Sequence, residues 1–472
     1  MTYHCLDNLE PAGFFRWFGE IAAIPHGSRK EQQLTAWLQK FAAERGIPCQ
    51  ADEAGNLLME LHAHAGYEDQ PAILFQAHMD MIWKADEGVD FDFATQPLDL
   101  YVEGDCIRAR GTTLGADNAV GLATMLALAD DPTIPRPALQ LLFTVAEEVG
   151  MVGIRAVDPA TITARRMINM DCGDSHVLCV SSAGKNDLGI DHTFPTEAPC
   201  GQGLRITLSG GKGGHPSICA NAGRFCAAGA FGDLLSALPA FRLCSLTGSE
   251  AIMGWGEAVI LAPEGSEASL QRQFDAIASI YAQTDEGIRM ALTPCQPCSA
   301  LSEADSRKIA QVLLHLRSAQ YRCDGNRPDT IVTSGAVTAM SLENGSFSLR
   351  FRLRSTVTAD SNLQYARFRS IIDPLGLELK SLDSYEGWSE RFQSPFRDKF
   401  QRVHQAIFGR PMDIERAPGG VETGILTHKL TDMDALGVAP TGRGAHSTQE
   451  RLYISETADY WQLLLAVLAE KE

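Results

Sequence analysis

The stretch LFQAHMDMIWKADE, residues 74–87, decides the fold class of this chain. Its apolar start is typical of a buried β-strand, and this strand is predicted to end where His78 and Asp80 appear. Residues at alternate positions of an extended segment project to the same side, so the imidazole and the carboxylate can act together. In α/β proteins, functional side chains collect at such strand ends.

Similar apolar segments recur in NLLMEL, LQLLFTVAEE and RRMINMDCGD, with helix-like stretches such as DNAVGLATMLALADD between them. This alternation predicts an α/β fold with a mostly parallel sheet. Acidic residues follow these apolar segments: Glu147 and Glu148 end LQLLFTVAEE, and Asp171 follows the apolar part of RRMINMDCGD. Residues 12–45 are predicted to form two amphipathic helices, the second beginning at a Ser28 cap.

The residue pattern changes after about residue 184, where longer amphipathic strands are predicted to alternate with helices. We therefore expect an α+β domain, residues 186–383, inserted into the α/β domain. The α/β domain would then comprise residues 1–185 and residues 384–472. A chain of 472 residues exceeds what one hydrophobic core usually fills, which agrees with two domains.

Composition excludes several classes of partner. A formal net charge of −19 disfavours nucleic acid and anionic membrane surfaces, because both attract clustered lysine and arginine. The first residues carry no basic segment leading into an apolar stretch, so no signal peptide is predicted. The longest apolar helix-like run, residues 119–129, is too short to span a bilayer. We expect a cytoplasmic protein.

Five stretches hold polar residues that can bind metal: AHMD, GTTLGADN, AEEVG, NMDCGD and GAHS. Each has a plainer interpretation when taken alone. A lone histidine is commonly a hydrogen-bonded structural residue, Asp117 could cap a helix, and Glu147 and Glu148 could form a solvated first turn. Their joint occurrence at the strand ends of one sheet favours a shared site instead.

A dinuclear metal site needs a bridging carboxylate, with an imidazole and a carboxylate to complete each side. The candidate ligands are His78, Asp117, Glu148, Asp171 and His446. Mixed nitrogen and oxygen donors suit zinc first, with manganese or cobalt as substitutes. Asp80 is expected to accept a hydrogen bond from the second nitrogen of His78 and fix its tautomer. Glu147 is expected to act as the general base of an amide hydrolysis.

The five stretches, in this order, resemble those of the co-catalytic zinc exopeptidases related to aminoacylases and carboxypeptidases. The long ARGTTLGADNAVGLA and the size of the insertion are most similar to the Xaa-His dipeptidases, also called aminoacyl-histidine or carnosine-type dipeptidases. The resemblance implies two zinc ions per subunit, a lid formed by the inserted domain, and pairing of two subunits through that lid. It also implies cleavage of short unblocked peptides.

The resemblance also implies a division of the ligands. His78 and Asp171 would hold one zinc ion, Glu148 and His446 the other, and Asp117 would bridge them. Glu147 falls on the family's general base.

Three residues match family positions that contact substrate. His215 in GGKGGHPS would help to stabilise the oxyanion, Arg354 in RLRST would bind the substrate carboxylate, and Glu422 in GGVETG would bind a free amino group. Taken alone, His215 is a loop histidine among glycines and Arg354 a strand arginine that faces solvent. One departure is AIMGWG, residues 251–256, which stands where such dipeptidases carry an RNAIP-like stretch and lacks its asparagine.

The sequence thus predicts a di-zinc dipeptidase that cleaves small peptides, with Xaa-His peptides as the expected substrates. Two alternatives remain open. An aminoacylase-like amidase would keep the site but act on N-acylated amino acids, and a noncatalytic member of the family would keep only the fold.

Overall fold

A computed structural model describes residues 3–214, 223–250, 252–297 and 299–471 of the chain. These residues divide into two compact units. Unit 1 comprises the residues up to Ser182, Trp388–Ala417 and those from Val421 onward. Unit 2 comprises Ala183–Gly387 together with Pro418–Gly420. Along the chain, the second unit is therefore inserted into the first, and the predicted insertion, 186–383, lies within Ala183–Gly387.

The strands of the described residues form three sheets, two in unit 1 and one in unit 2. In chain order they are β1 Cys49–Ala51, β2 Leu57–Leu61, β3 Ile73–His78, β4 Leu100–Glu103, β5 Cys106–Ala109, β6 Leu139–Thr144, β7 Arg166–Asn169, β8 Val177–Ser182, β9 Gly184–Thr193, β10 Gly203–Ser209, β11 Arg242–Ser249, β12 Gly256–Leu261, β13 Arg289–Cys295, β14 Ala319–Asp324, β15 Arg327–Glu343, β16 Ser346–Ser355, β17 Lys380–Tyr385, β18 Asp413–Ala417, β19 Asp434–Gly437, β20 Gly442–Arg443 and β21 Arg451–Tyr453.

Two α-helices precede the first strand, one follows the last, and the others lie between strands along the chain. In chain order they are α1 Ala12–Ala22, α2 Gln32–Glu44, α3 Ala116–Asp130, α4 Val152–Ala156, α5 Ala227–Ser236, α6 Ser266–Ile280, α7 Glu303–His315, α8 Thr358–Ile372, α9 Pro395–Phe408, α10 Thr423–Lys429 and α11 Ile454–Ala469. In the part of the chain that the structure describes, none of these helices is long and apolar enough to cross a membrane.

The main sheet of unit 1 has eight strands in the order β1-β2-β6-β3-β7-β19-β8-β18. Its centre, from β6 to β19, is parallel, whereas β1 and β2 add antiparallel at one edge. Every residue of β3 and β6 is buried, as expected of strands covered on both faces. His78 pairs with Thr144, so β3 and β6 end side by side. The predicted α/β class, with a mostly parallel sheet at its centre, is confirmed.

A second, four-stranded antiparallel sheet in unit 1 has the order β20-β21-β5-β4. These short strands were not predicted from the sequence. Their importance lies in the connection between β20 and β21, which contains His446 and Glu450. Pairing of Leu452 with Ile107 ties this connection to residues far earlier in the chain.

The predicted start of the second helix is wrong. Ser28 does not cap α2, which begins at Gln32 with Glu31 at its N-cap position. The side chain of Glu31 makes no capping hydrogen bond to its own helix. It accepts a hydrogen bond from the main chain of Ala146 instead.

Unit 2 is built on a nine-stranded antiparallel sheet in the order β13-β10-β12-β11-β15-β16-β9-β17, with β14 paired to β15. Helices α5, α6, α7 and α8 contribute buried side chains to one core with the inner strands. An antiparallel sheet with helices packed on it is an α+β arrangement. The predicted α+β class of the insertion is confirmed.

Helix α3 approaches the main sheet at Gly121. A Cβ atom at this position would lie 2.5 Å from the Cβ of Ala77 and 3.0 Å from the Cβ of Met170. Both neighbours are rigidly held, so the helix lies this close only because residue 121 has no side chain. Since α3 begins beside Asp117, this contact sets the height of that aspartate above the sheet.

We predict that Gly121→Ala lowers the free energy of unfolding by about 1–3 kcal/mol, because an added methyl group overpacks the contact. Gly13→Ala is the matched control, since the new Cβ would meet only the Cβ of Ala127 at 3.9 Å. That change should be neutral or slightly stabilising, by up to about 1 kcal/mol. Urea unfolding of both variants measures the difference, and equal stabilities would contradict this account of the helix contact.

Candidate metal centre

The carboxyl ends of the central strands and two connections bring six polar side chains together in unit 1. His78 ends β3, Asp117 lies at the start of α3, Glu147 and Glu148 follow β6, Asp171 follows β7, and His446 lies between β20 and β21. Parallel strands that end at one edge of a sheet bring residues distant in the sequence into one place.

Asp117 stands between two pairs of side chains. Its Oδ1 lies 3.0 Å from Nε2 of His78, and its Oδ2 lies 3.4 Å from Nε2 of His446. Nε2 of His78 also lies 3.3 Å from Oδ1 of Asp171. Nε2 of His446 lies 2.6 Å from Oε1 of Glu148. Each side of Asp117 thus holds one imidazole and one further carboxylate.

The donor atoms of this cluster suit a metal ion. Ligand atoms of His78, Asp117 and Glu148 lie within 4.8 Å of one another. Imidazole nitrogen with carboxylate oxygen is a donor set that zinc accepts readily. The side chain of His78 is only 1% exposed and that of His446 is 51% exposed, so the cluster is closed at one end and open at the other.

The charges of the cluster require a positive partner. Burial opposes the charged form of His78, but the carboxylates of Asp171 and Asp117 outweigh it and hold its pKa well above the ordinary value. Hydrogen bonds with Asp117 and Glu148 raise the pKa of His446 to about 10. Burial and the neighbouring Asp117 charge raise the pKa of Asp171 to about 7. Carboxylates that hold protons on both imidazoles would also attract a cation.

Glu147 and Glu148 are adjacent in sequence but differ in environment. Glu148 contacts His446 and belongs, with His78 and Asp117, to the group of metal-competent ligand atoms found among the described residues; Glu147, Asp171 and His446 lie outside that group. Burial, followed by the charge of Asp171, raises the pKa of Glu147 well above the usual value for glutamate. Glu422 and Glu148 act in the same direction. A carboxyl group with a raised pKa can both accept and return a proton near neutral pH.

The expected contact of Asp80 with the imidazole differs in the structure. Nδ1 of His78 lies 2.9 Å from the main-chain carbonyl oxygen of Asp80, which accepts the hydrogen bond, and 3.5 Å from its carboxylate. The carboxylate instead accepts hydrogen bonds from the main-chain N–H groups of Glu147 and Glu148, at 2.9 and 3.2 Å. Asp80 therefore holds the glutamate pair in place as well as the histidine.

Glu450 is a site residue that the sequence reasoning missed. Its buried carboxylate accepts hydrogen bonds from the N–H groups of Leu114, Gly115 and Asp117, at 2.8, 2.9 and 3.1 Å. Burial raises its pKa to about 7, although these hydrogen bonds oppose the shift. The only signal in the sequence was its position four residues after His446 in GAHSTQE.

Glu422 lies in the interior of unit 1, 1% exposed. Its Oε2 accepts hydrogen bonds from Gln76 and from the hydroxyl of Thr144, whereas its Oε1 has no partner among the described residues. Gln76 accepts in turn from Asn169 at 2.6 Å, and Asn169 accepts from the N–H of Asp171 at 3.2 Å. Burial raises the pKa of Glu422 to about 8. This network connects Glu422 to the strand ends that carry His78 and Asp171.

The other two substrate candidates belong to the inserted segment. Nη1 of Arg354 donates to the hydroxyl of Tyr385 at 2.6 Å, while its buried Nε has no partner among the residues described. Arg354 and Tyr385 both belong to unit 2. His215 lies outside the described residues, as does Ala251 of AIMGWG, whereas Met253 of that stretch is fully buried.

A cavity of about 490 Å³ adjoins the cluster in unit 1. Asp117 and Asp171 contribute to its lining, together with the apolar side chains of Val120, Met170 and Pro440. A larger cavity of about 640 Å³ is lined by residues between Tyr3 and Glu20, none of which belongs to the cluster. Of the two cavities, the smaller one is lined by residues of the cluster.

Comparison with known proteins relates this site to a family. A model of "Peptidase family M20/M25/M40" matches residues 74–470. The cytosol non-specific dipeptidase of Escherichia coli (strain K12) is 26% identical over 479 residues, which cover 98% of this chain and 99% of that protein.

Two solved structures share the fold. Aminoacylhistidine dipeptidase from Vibrio alginolyticus matches with a TM-score of 0.93 at 24% identity, over 99% of this chain and 98% of that one. Aminopeptidase PepT from Bacillus cereus matches with a TM-score of 0.59 at 15% identity, over 98% of both chains. With the family model covering most of its length, the chain belongs to peptidase family M20/M25/M40.

Proposed function

We propose that this protein is a metal-dependent dipeptidase that hydrolyses the peptide bond of small dipeptides, with Xaa-His dipeptides among its substrates. The observation that carries the proposal is the position of Asp117 between two histidine–carboxylate pairs, with Glu147 next to a member of one pair. The names of two relatives, a cytosol non-specific dipeptidase and an aminoacylhistidine dipeptidase, support the substrate class.

The proposed metal is zinc, two ions per subunit, with manganese or cobalt as substitutes. His78 and Asp171 would hold one ion, Glu148 and His446 the other, and Asp117 would be a ligand shared by both. When bound, such ions supply Lewis acidity to the scissile carbonyl group and make water more acidic. The nitrogen and oxygen donors of the cluster fit this choice.

In the proposed mechanism Glu147 moves the proton. Its carboxylate takes a proton from the water that adds to the scissile carbonyl carbon, and then gives this proton to the nitrogen of the leaving amine. The raised pKa of Glu147, caused first by burial, supports both halves of this role. The carboxylate of Asp80 accepts a hydrogen bond from the main-chain N–H of Glu147 and so keeps this residue in position. His215 is proposed to bind the negative charge that develops on the oxygen of the scissile carbonyl group.

Two charged residues are proposed to select the substrate. Glu422 would bind the free amino group, and its unpartnered Oε1 supports this role, since a cationic group would satisfy a buried oxygen that has no hydrogen bond. Arg354 would bind the terminal carboxylate, for which a guanidinium group with a free N–H is well suited.

The rival function keeps the cluster and changes the substrate. An aminoacylase-like amidase would act on N-acylated amino acids, which lack the free amino group. A noncatalytic member of the family would keep the fold without the chemistry. The presence of Glu147, with its raised pKa, beside the metal-competent group of His78, Asp117 and Glu148 favours catalysis over this last alternative.

We also propose a cytoplasmic homodimer that pairs through unit 2. Leu363 and Ile371, 58% and 36% exposed on α8, are apolar side chains that such a partner would cover. A mass of 51.2 kDa in sedimentation equilibrium would overturn the pairing.

Removal of metal should abolish hydrolysis of dipeptides. We predict that dialysis against a chelator lowers turnover of β-alanyl-histidine and of other dipeptides by at least about 100-fold, because the metal ions contribute several kcal/mol to the transition state. Readdition of zinc, manganese or cobalt should restore turnover. Activity that is indifferent to the chelator would exclude the proposed mechanism.

The two adjacent glutamates should respond differently to the same change. We predict that Glu147→Gln lowers kcat by about 10²–10⁴-fold, as expected for loss of a general base, while metal content stays at the wild-type level. Glu148→Gln should lower the metal content, because it removes a ligand. Elemental analysis combined with steady-state kinetics distinguishes them, and metal loss in the Glu147 variant would assign it a ligand role instead.

The substitution Glu422→Gln distinguishes a dipeptidase from an aminoacylase-like amidase. We predict that this change raises KM for dipeptides by about 10-fold, the cost of one charge-assisted hydrogen bond, and leaves the KM for N-acetylated amino acids unchanged. The panel of substrates should include both classes at several concentrations. Equal effects on both classes would show that Glu422 does not recognise an amino group.

A further inference from the structure

The main chain that follows β6 is bound by side chains at four consecutive positions. The N–H of Val145 donates to Asn56 at 3.1 Å, that of Ala146 to Glu31 at 3.0 Å, and those of Glu147 and Glu148 to Asp80 at 2.9 and 3.2 Å. The three acceptor residues come from well-separated parts of the sequence, and each is at most 4% exposed. The segment that carries the proposed base is therefore held by the interior of unit 1.

Ala146 requires such support because its backbone lies in the left-handed region, with φ +53°. A residue with a Cβ atom adopts this conformation at a cost in free energy. Arg29, with φ +64°, is in the same region. One oxygen of Glu31, Oε1, accepts hydrogen bonds from both N–H groups, at 2.9 Å from Arg29 and 3.0 Å from Ala146. A single carboxylate oxygen thus stabilises two strained main-chain positions 117 residues apart in numbering.

The environment of Glu31 indicates that its carboxylate serves this purpose. It stands at the N-cap position of α2 yet makes no capping hydrogen bond to that helix. A short polar residue would cap the helix without the cost of burying a charged group. The long side chain reaches Ala146 instead, one residue before Glu147.

We infer that Glu31 is a positioning residue for Glu147 and acts through the N–H of Ala146. The backbone angles of residue 146 set the direction in which the next residue leaves the chain, and hence where its carboxylate lies. A general base must remain within hydrogen-bond reach of the proton that it moves. Without the acceptor of Glu31, the main chain at Ala146 is no longer held in its left-handed conformation. The carboxylate of Glu147 is then no longer held in one position. The inference rests on the role proposed for Glu147.

Two substitutions at one position test this inference. Glu31→Leu keeps the approximate size but removes the acceptor, and should lower kcat for dipeptides by about 10–100-fold, since small misplacements of reacting groups are costly. KM and metal content should stay close to wild type. Glu31→Gln keeps an amide oxygen that can accept from Ala146, and should retain kcat within about 3-fold, the effect of a preserved hydrogen bond.

A second measurement does not depend on activity. Hydrogen exchange of the peptide containing residues 145–148 should be faster in Glu31→Leu than in wild type and in Glu31→Gln. Gln140→Leu is the matched control, because Gln140 is also 4% exposed and its Oε1 accepts from the N–H groups of Thr163 and Ala164 at 2.8 and 3.0 Å. It should lower the melting temperature as Glu31→Leu does, yet keep kcat and the exchange of residues 145–148.

Three outcomes would overturn the inference: wild-type kcat in Glu31→Leu, an equal loss of kcat in Glu31→Gln, or an equal loss in Gln140→Leu. If the wild-type protein cleaves no dipeptide, the proposed function fails first. In that case the exchange rates still report whether Glu31 holds the segment.

Discussion

Carboxyl groups crowd the interior of unit 1 around Asp117, and this concentration of like charge constrains the rest of that unit. Asp117, Glu147 and Asp171 are partly buried, and carboxylates at partly buried positions repel one another unless cations or hydrogen-bond donors compensate. Protons on His78 and His446, whose pKa values are raised, supply part of that compensation. Divalent cations would supply it more fully, so the geometry that costs stability is also the geometry proposed to bind metal.

Other buried carboxylates hold the backbone rather than face the cluster. Asp80 and Glu31 bind the N–H groups around Glu147, and Glu450 binds those around Asp117. Each of these carboxylates lies where main-chain N–H groups converge. It accepts the hydrogen bonds of N–H groups that have no strand partner, because the chain bends there. The acidic side chains therefore form two layers: the inner one is proposed to carry the chemistry, and the outer one binds main-chain N–H groups.

Much of the fold could be predicted because buried parallel strands leave a clear mark in sequence. The apolar segments that end at His78, before Glu147 and before Asp171 are β3, β6 and β7, and the resemblance to an exopeptidase family is confirmed by the family match. The assignment of single ligands and of the base stays a prediction. The short strands β20 and β21 escaped prediction, since strands of two and three residues have no periodicity to detect.

The sequence by itself determined the α/β class, the inserted α+β segment and the set of residues able to bind metal, because these follow from local hydrophobic pattern and residue type. Only the tertiary structure decided which groups meet. It gave the imidazole of His78 the carbonyl rather than the carboxylate of Asp80, directed the side chain of Glu31 to the N–H of Ala146 rather than to its own helix, and brought the carboxylate of Glu450 to the N–H of Asp117. Hydrogen bonds between residues so far apart in the chain depend on packing of the whole unit, and no local pattern in a single sequence encodes them.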